Sequence, residues 1–333
     1  MRRFASITGR LLLCGAVGFV SLWCILALSF FPPVPRWLGA LLALGFAAGM
    51  LALKLRLKDA GAALRYFCIA ALSVLLAWLL VQPTHQRPWS KKHAIMPRAV
   101  FDGDRVTVRN IRRTIQAASG DCEVQHRDQV YELDELDSVW LGVQHFAAWK
   151  GVAHTFVSFG FTDGDYLAIS IESRRREGER FSALAGLFKQ FGVIYVVGDE
   201  QEIIGHRALA DEGPLYLFPI HADRQQMRDM LVSMLRRANR LAEQPEFYNT
   251  LTNNCTTNIL ESFNQIAPIH ISPYSPRIVF PGYSGDVAYD QGLIAADEPF
   301  SECKARAHIN EVARAAAASE DFSQRIRAQF GRE

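Results

Sequence analysis

The chain has 333 residues, of which 50% are hydrophobic and 21% are charged, and its formal net charge is +2 at pH 7. This length allows two or three domains, and the small net charge excludes a strongly basic nucleic-acid-binding protein. The charges divide unevenly: residues 1–82 contain eight Lys or Arg and one acid, whereas residues 83–333 contain 28 Lys or Arg and 33 Asp or Glu. The first quarter is therefore distinct from a mildly acidic remainder, in which no basic stripe predicts nucleic acid as a partner.

Three uncharged, apolar runs occupy the first quarter: Leu11–Phe31, Trp37–Leu53 and Tyr66–Gln82. The first run has 21 residues, and a helix of that length crosses the roughly 30 Å of a bilayer's hydrocarbon core at about 1.5 Å per residue. Only a helix satisfies its own backbone hydrogen bonds in lipid, so residues 1–82 are predicted to be a membrane anchor of three transmembrane helices. A cleaved signal peptide ending near Ala27–Ser29 is the alternative. Its apolar core would be unusually long, and two more runs follow it.

The basic residues beside these runs predict how the chain crosses the membrane. Seven Lys or Arg lie before the first run or in the Lys54–Arg65 loop, against five near the opposite helix ends. Because positive loops stay in the cytoplasm, we expect a cytoplasmic N-terminus, a multi-pass protein of the inner (plasma) membrane and a main domain in the periplasm. Residues 83–98, which include three prolines, are predicted to be a linker, and residues 99–333 one domain.

Alternating and β-branched runs in the outer domain predict strands. Val152–Phe159 and Tyr166–Glu172 are separated by a turn at residues 163–165, a pattern typical of a β-hairpin. Helices are predicted from Asp223 and from about Cys255 to Phe263. Three further runs extend the predicted sheet to five or six strands: Arg105–Ile111, Gly192–Val197 and Leu215–Ile220. The fold class is α+β, with a mostly antiparallel sheet and packed helices.

Three of the six cysteines lie in the membrane runs, where they are predicted to be small apolar packing residues. The outer domain contains Cys122, Cys255 and Cys303. An oxidising compartment favours pairing, and three thiols leave one unpaired. We predict a disulfide between Cys122 and Cys303, near the two ends of the domain, with Cys255 free. The alternative is that none of the three pairs.

The segment Asn249–Leu260 is the most informative in the chain. Asn and Thr residues before an apolar periodic run are N-cap signals, so Cys255 falls in the first turn of a helix. The helix dipole and a nearby imidazole both lower the pKa of a thiol, and the free N–H groups of the first turn can bind an oxyanion. Cys255 is therefore a candidate nucleophile.

His154 lies in the first strand of the predicted hairpin, and the partner strand places Ser170, Glu172 and Arg174 on one face. Either Ser170 or Glu172 could hold the imidazole, so that a helix cysteine, a strand histidine and a third polar group form a papain-like set. A histidine in a strand is more often a half-buried structural residue, and a cysteine in a helix is more often inert. The combination of both in one domain favours a Cys–His catalytic pair.

Four further residues are expected to support an oxyanion or a substrate: Asn254, Thr256, Tyr248 and Arg174. An arginine at the strand end could also meet a phosphate head group, although a solvated strand end is the simpler interpretation. The sequence contains no Cys-x-x-Cys, no His-x-x-x-His, no P-loop and no dinucleotide-binding glycine pattern. We therefore expect neither a metal site nor a cofactor.

Three strings carry a resemblance to a known family: His154–Phe159, Ser170–Arg175 and Glu246–Thr257. In their order and spacing, roughly residues 100–290 resemble the Lnb-type (lipoprotein N-acyltransferase) periplasmic domain family. The resemblance implies a thiol-dependent fold related to permuted papain-like enzymes, in which the histidine precedes the cysteine. It further implies that Cys255 takes a fatty acyl group from a glycerolipid ester, with His154 as general base, and passes it to the N-terminal Cys of a lipoprotein.

The sequence is compatible with three functions. The first is a membrane-anchored periplasmic acyltransferase whose partners are membrane lipids and lipoproteins. The second is a cysteine peptidase or amidase acting on cell-wall peptides, which predicts a polar groove where an acyltransferase needs an apolar channel. The third is a non-catalytic binding module that keeps the fold. The enzyme after which the family is named carries membrane helices after its periplasmic domain, whereas the three apolar runs here precede it.

Overall fold

The structure is a computed structural model, and it describes residues 2–32, 34–116, 122–210, 213–267, 269–294 and 298–331. The chain divides into two compact units. The anchor unit contains residues 1–85, 181–192 and 247–249, and the outer unit contains residues 86–180, 193–246 and 250–333.

The anchor unit is built on three long apolar helices: α1 (Arg2–Ser29), α2 (Arg36–Arg56) and α3 (Ala60–Leu80). All three are long and apolar enough to cross a membrane, as predicted. Gly39 lets α2 approach the end of α1, because a Cβ there would lie 2.8 Å from the carbonyl oxygens of Leu28 and Ser29. Cys24 is buried between α1 and α3 beside Phe67, so it packs as a small apolar residue. A fourth, short helix, α4 (Ala183–Gly186), also belongs to this unit.

The outer unit is built on an eight-stranded sheet in the order β1-β2-β7-β6-β5-β4-β8, with β3 also paired to β2. The pairs β1–β2, β2–β3, β4–β5, β4–β8 and β5–β6 are antiparallel, and β2 makes a short parallel contact with β7, which confirms a mostly antiparallel sheet. The sequence predicted five or six strands, and β1, β3 and β4 lie where it assigned no strand. The bounds are β1 (Arg98–Asp102), β2 (Arg105–Gln116), β3 (Cys122–Glu132), β4 (Leu136–His145), β5 (Ala153–Phe161), β6 (Tyr166–Arg174), β7 (Gly192–Gly198) and β8 (Leu215–Ile220).

Helices pack on this sheet, and the α+β class is confirmed. The predicted helix from Asp223 is α6, whose start is fixed by a capping box between Asp223 and Gln226. Buried clusters around Phe156 and Phe218 form the core between the sheet and its helices. The helices of this unit are α5 (His206–Ala210), α6 (Arg224–Glu243), α7 (Cys255–Ile266), α8 (Pro276–Val279), α9 (Ser284–Asp290), α10 (Phe300–Arg306), α11 (Asn310–Ala316) and α12 (Phe322–Arg325).

The predicted disulfide does not form at Cys303. This residue is a free, buried thiol on α10 that packs with Phe218, Ala288 and Ala307, and burial raises its pKa. It therefore serves as a small apolar core residue, as the membrane cysteines were predicted to do. The side chain of Cys122 lies outside the described residues.

Residues 86–98 of the predicted linker belong to the outer unit. Lys91–His93 form one turn of 3-10 helix, and His93 is 2% exposed. The Nε2 of His93 lies 3.2 Å from a carboxylate oxygen of Glu172 on β6. The chain before β1 therefore contributes to the domain's polar interior, which the proline content of the segment did not predict.

Candidate active site

Cys255 is the first residue of α7, and its neighbours fix the start of that helix. The side chain of Asn254 accepts a hydrogen bond from the Thr257 amide (3.0 Å), and the Thr257 hydroxyl accepts one from the Asn254 amide (2.8 Å). First-turn N–H groups have no acceptor within a helix, so the amides of Cys255 and Thr256 place the positive end of the helix dipole beside the thiol. Asn254 thus supports the site as a helix cap.

The Cys255 thiol is buried, with 5% of the residue exposed. Burial alone raises its pKa. The charge of His154, a hydrogen bond with that imidazole, and hydrogen bonds with the hydroxyl and backbone of Thr155 outweigh burial and lower the pKa of Cys255 to about 6. A free cysteine has a pKa of about 8.5. The thiol is therefore largely ionised at neutral pH, unlike a cysteine that only fills the core.

The hydrogen bonds of Ser170 decide which nitrogen of His154 faces the thiol. Ser170 Oγ donates its single hydrogen to Glu172 Oε1 (3.1 Å) and accepts a hydrogen bond from Arg207 (3.1 Å). The 2.7 Å contact between Ser170 Oγ and His154 Nε2 therefore requires the hydrogen to be on Nε2. Nδ1 remains to bond Cys255 and to accept its proton, which is the tautomer that a general base needs.

Glu172 is the charged group behind Ser170. His93 Nε2 (3.2 Å) and Arg207 Nη2 (2.8 Å) contact its two oxygens, and Arg112 Nη2 lies 3.9 Å away. Burial raises the pKa of Glu172, but the His93 hydrogen bond and the charges of Arg112 and Arg207 hold it well below the usual range. The carboxylate therefore stays ionised and orients Ser170, and through it the imidazole.

Thr256 lies where the sequence predicted, next to the thiol. Its hydroxyl oxygen is 3.1 Å from that of Thr155 and 3.9 Å from the sulfur of Cys255. Both threonines, which we call the threonine pair, are at least 95% buried. They link α7 to β5 and hold the thiol against the strand that carries His154.

Arg174 does not take the expected position at the reacting group. Its guanidinium is buried and donates hydrogen bonds to the carbonyls of His93 (2.8 Å) and Ala94 (2.9 Å), and it stacks over the ring of Trp89 at 4.5 Å. It therefore holds the segment before β1 in place instead of facing a phosphate group. The alternation of side chains along β6 correctly placed Arg174 on the same face as Ser170 and Glu172. Arg174 is the last residue of the strand, however, and its side chain contacts the segment before β1.

Tyr248, the last of the expected supporting residues, belongs to the anchor unit. Its amide donates a hydrogen bond to the Phe191 carbonyl (3.0 Å), and its ring packs edge-on against Phe181 at 6.0 Å. These contacts fix the chain at residues 247–249, so the role expected for Tyr248 stays a prediction.

A cavity of about 480 Å³ adjoins the threonine pair. Strands β4 and β5 and helices α6 and α7 line it mostly with apolar side chains, among them Val157, Met230 and Phe263. Its size falls in the range of about 300–1,000 Å³ that small-molecule sites occupy. The threonine pair lines this cavity and also contacts Cys255, so the thiol lies behind the threonine pair, next to an apolar compartment that it does not itself line.

A buried amide lies beside the imidazole. Gln144 on β4 is the register partner of His154 on β5, and it is 1% exposed. Within the described part of the chain, neither polar atom of its side chain has a hydrogen-bond partner. Leaving such a group unpaired costs about 1–3 kcal/mol, so a buried amide of this kind usually has a partner. A ligand oxygen bound at this end of β5 would supply one.

Sequence reasoning missed Thr155, Gln144, His93 and the two arginines that contact Glu172. Thr155 follows His154 directly in the hairpin and could have been found from its position. The others are scattered along the chain without a motif, and only the sheet brings them together. Over the ranges that the structure describes, no group of three or more His, Cys, Asp or Glu could hold a metal ion.

Comparison with known proteins gives a match to a family model. No curated protein and no solved structure matches the chain. Residues 123–282 match the model of the family described as the Lnb N-terminal periplasmic domain, and this range includes His154, Ser170, Glu172 and Cys255. The chain is therefore a membrane protein in which residues 123–282, just under half of its length, match the Lnb N-terminal periplasmic domain family and follow three apolar helices.

Proposed function

We propose that this protein is a membrane-anchored acyltransferase that carries a fatty acyl group on Cys255 as a thioester. The observation that supports it best is the position of a thiol with a lowered pKa directly behind the threonine pair that lines an apolar cavity. The acyl donor is a glycerolipid ester and the acceptor an amine, with the N-terminal Cys of a lipoprotein as the expected acceptor. A papain-like arrangement of helix cysteine and strand histidine is part of the proposal.

In the first half of the reaction, the Cys255 thiolate attacks the ester carbonyl of the lipid. The developing oxyanion receives hydrogen bonds from the first-turn amides of α7, with the Gln144 amide as a further donor. As the carbon–oxygen bond breaks, the His154 imidazolium gives its Nδ1 proton to the leaving glycerol oxygen. The products are a thioester on Cys255, a lysolipid hydroxyl and a neutral imidazole.

In the second half, the acceptor amine attacks the thioester carbonyl. His154 Nδ1 takes the proton that the amine loses, and the carbon–sulfur bond breaks to release the acyl amide and the Cys255 thiolate. Ser170 and Glu172 act as positioning residues, because they keep the hydrogen of the imidazole on Nε2 throughout both halves. The thiolate and imidazolium are then ready for another donor.

The character of the cavity favours an acyl substrate over a cell-wall peptide. A peptide backbone needs hydrogen-bonding groups along its length, whereas the walls next to the threonine pair are mostly aliphatic and aromatic. Each methylene transferred from water into such a cavity contributes about 0.8 kcal/mol. A filled cavity tests this point: Met230→Trp should slow reaction with a long-chain ester and leave a short-chain ester unaffected.

The proposal includes the orientation and the membrane. The N-terminus lies in the cytoplasm, α1 to α3 cross the inner (plasma) membrane, and the outer unit works in the periplasm. A reporter active only in the periplasm, fused before Arg2, should stay inactive, and one fused after the outer unit should be active.

The decisive experiment is to trap the acyl group on Cys255. The full chain, reconstituted with glycerolipid, should yield a Cys255 peptide heavier by one acyl group, and hydroxylamine should remove that mass. His154→Ala should lower the yield strongly, while His270→Ala, at an exposed position, serves as the matched control. In cells that lack their usual lipoprotein acyltransferase, Cys255→Ser should abolish N-acylation. Full activity of Cys255→Ser, or no adduct from any lipid, would refute the proposal.

A further inference from the structure

A segment of the outer sequence packs with the apolar helices in the anchor unit. In Phe181–Gly192, the ring of Phe188 stacks on Phe30 at 5.9 Å and lies 6.4 Å from Trp23 of α1. Trp23 precedes Ser29, the last residue of α1, by six positions, which is about 9 Å along a helix. Phe188 therefore lies alongside the last two turns of a membrane-spanning helix.

The next residue, Lys189, caps the C-terminal end of α3 with its side chain. Its ammonium donates hydrogen bonds to the carbonyl oxygens of Trp78 (2.9 Å) and Val81 (3.2 Å) and lies 4.3 Å from the centre of the Trp78 ring. The last carbonyls of a helix have no partner within it, and a cation there also interacts favourably with the helix dipole. Lys189 adopts the left-handed backbone conformation, φ 60°, which is uncommon for a residue with a Cβ.

These contacts set the depth of the segment. The span Thr8–Ser29 has 22 residues and a length of about 33 Å, so a bilayer that covers it extends to the level of Phe188. Helix α4 ends two residues before Phe188, and turn hydrogen bonds continue through it, with Phe188 N–H donating to the Ala185 carbonyl (3.0 Å). Leu184 is thus about one turn from a side chain at lipid depth.

The segment also has the composition of an interfacial element. It contains Phe, Leu and Ala with no acidic residue, and Lys189 is its one charge. Leu184 is 44% exposed and Phe181 is 37% exposed, and Trp23 and Trp78 meet edge-on at 5.6 Å in the same unit. Tryptophan and lysine side chains collect at membrane–water boundaries, where an apolar body and a polar end are both satisfied.

We propose that residues 181–189 form an interfacial lipid contact, in which Leu184 and Phe181 insert into the outer boundary of the bilayer hydrocarbon. Phe188 contacts α1 and Lys189 contacts α3, and both helices are surrounded by lipid at this level, so the partner of the exposed side chains is lipid. The hydrogen bonds of Lys189 to the last carbonyls of α3 hold the segment at that depth. This inference is independent of the chemistry at Cys255.

An environment-sensitive fluorophore on a single cysteine tests the proposal. Leu184→Cys and Ala183→Cys are made in a full chain whose native cysteines are replaced, and each is labelled in vesicles of phosphatidylcholine and phosphatidylglycerol. Leu209→Cys, an exposed leucine of α5 in the outer unit, is the matched control. We expect lipids brominated on their acyl chains to remove most of the emission at 184 and 183 and little at 209. Aqueous iodide should show the opposite order.

Two results would overturn the proposal. Quenching of the 184 and 183 probes by iodide to the same extent as the 209 probe would show that water covers the segment. Protection from both quenchers would show that protein covers it, for example a second copy of the chain. Using two positions guards against a label that disturbs α4, and the unfolding temperature of each labelled chain checks that it is folded.

Discussion

The pH dependence of Cys255 alkylation tests the activated pair directly. In the folded protein His154 and Thr155 lower the pKa of this buried thiol to about 6. His154→Ala removes the charge and leaves the burial, which raises the pKa, so the variant's thiol should titrate at or above the free value of about 8.5. A difference of about 2.5 in pKa corresponds to about 3 kcal/mol of thiolate stabilisation.

The rates follow from the thiolate fractions. At pH 5.5 about a quarter of the wild-type thiol is ionised, against about one part in a thousand at a pKa of 8.5. The less basic thiolate is a weaker nucleophile, by about tenfold for this difference, so the wild type should alkylate about twentyfold faster at pH 5.5. Near pH 9 both thiols are ionised, and the variant should react faster. The two pH profiles must therefore cross.

The assay is iodoacetamide labelling of the full chain in detergent, with the Cys255 peptide quantified by mass spectrometry between pH 5 and 10. Following that peptide alone separates it from the other cysteines. His270→Ala, at an exposed position, should reproduce the wild-type profile. If His154→Ala kept a midpoint near 6, or if the profiles ran parallel without crossing, the imidazole would not be the cause of the low thiol pKa.

Three further predictions concern the groups around the pair. Ser170→Ala removes the acceptor for Nε2, so formation of the acyl adduct should fall about a hundredfold; an unchanged rate would contradict the assigned tautomer. Glu172→Gln leaves Arg207 without its carboxylate, whereas Arg112 keeps Glu202 at 2.7 Å, and the substitution should cost about 3 kcal/mol of unfolding free energy near neutral pH. Because the folded pKa of Glu172 is lowered, that contribution is present above its unfolded pKa of about 4.3 and is lost as pH falls through the folded value. The difference between the two unfolding temperatures should therefore begin to shrink as pH falls below about 4.3 and vanish only below the folded pKa, and a constant difference would contradict this. Gln144→Leu removes an unpaired buried amide and should keep or raise the unfolding temperature, while slowing acylation about a hundredfold if the amide binds the oxyanion.

Local patterns determined the parts of the fold that depend on near neighbours in the chain. Apolar runs of about the length of a bilayer crossing predict α1 to α3, because a membrane helix satisfies its hydrogen bonds within itself. The hairpin around residues 163–165 and the start of α7 at Cys255 follow from turn and cap residues, which act over three or four positions. These elements lie where the sequence placed them.

The conditions around the candidate site depend on residues far apart in sequence. His93 and Arg207 meet at Glu172 only because the segment before β1 and the helix after β7 pack on the same sheet. Cysteine count alone suggested a disulfide at Cys303, but the fold encloses that thiol in an apolar cluster. The alternation of side chains along a strand correctly placed Arg174 on the same face as Ser170. It does not give the distance of either side chain from the thiol.

The sequence by itself thus determined a membrane anchor, an α+β domain and a cysteine at a helix N-terminus with a histidine on a strand. Tertiary structure decided what those two residues can do, because a pKa depends on burial and on charges brought close by packing. It selected Ser170 as the contact of His154 and placed Glu172 behind it. The apolar cavity beside the thiol likewise exists only between packed elements, since no single segment encloses a volume.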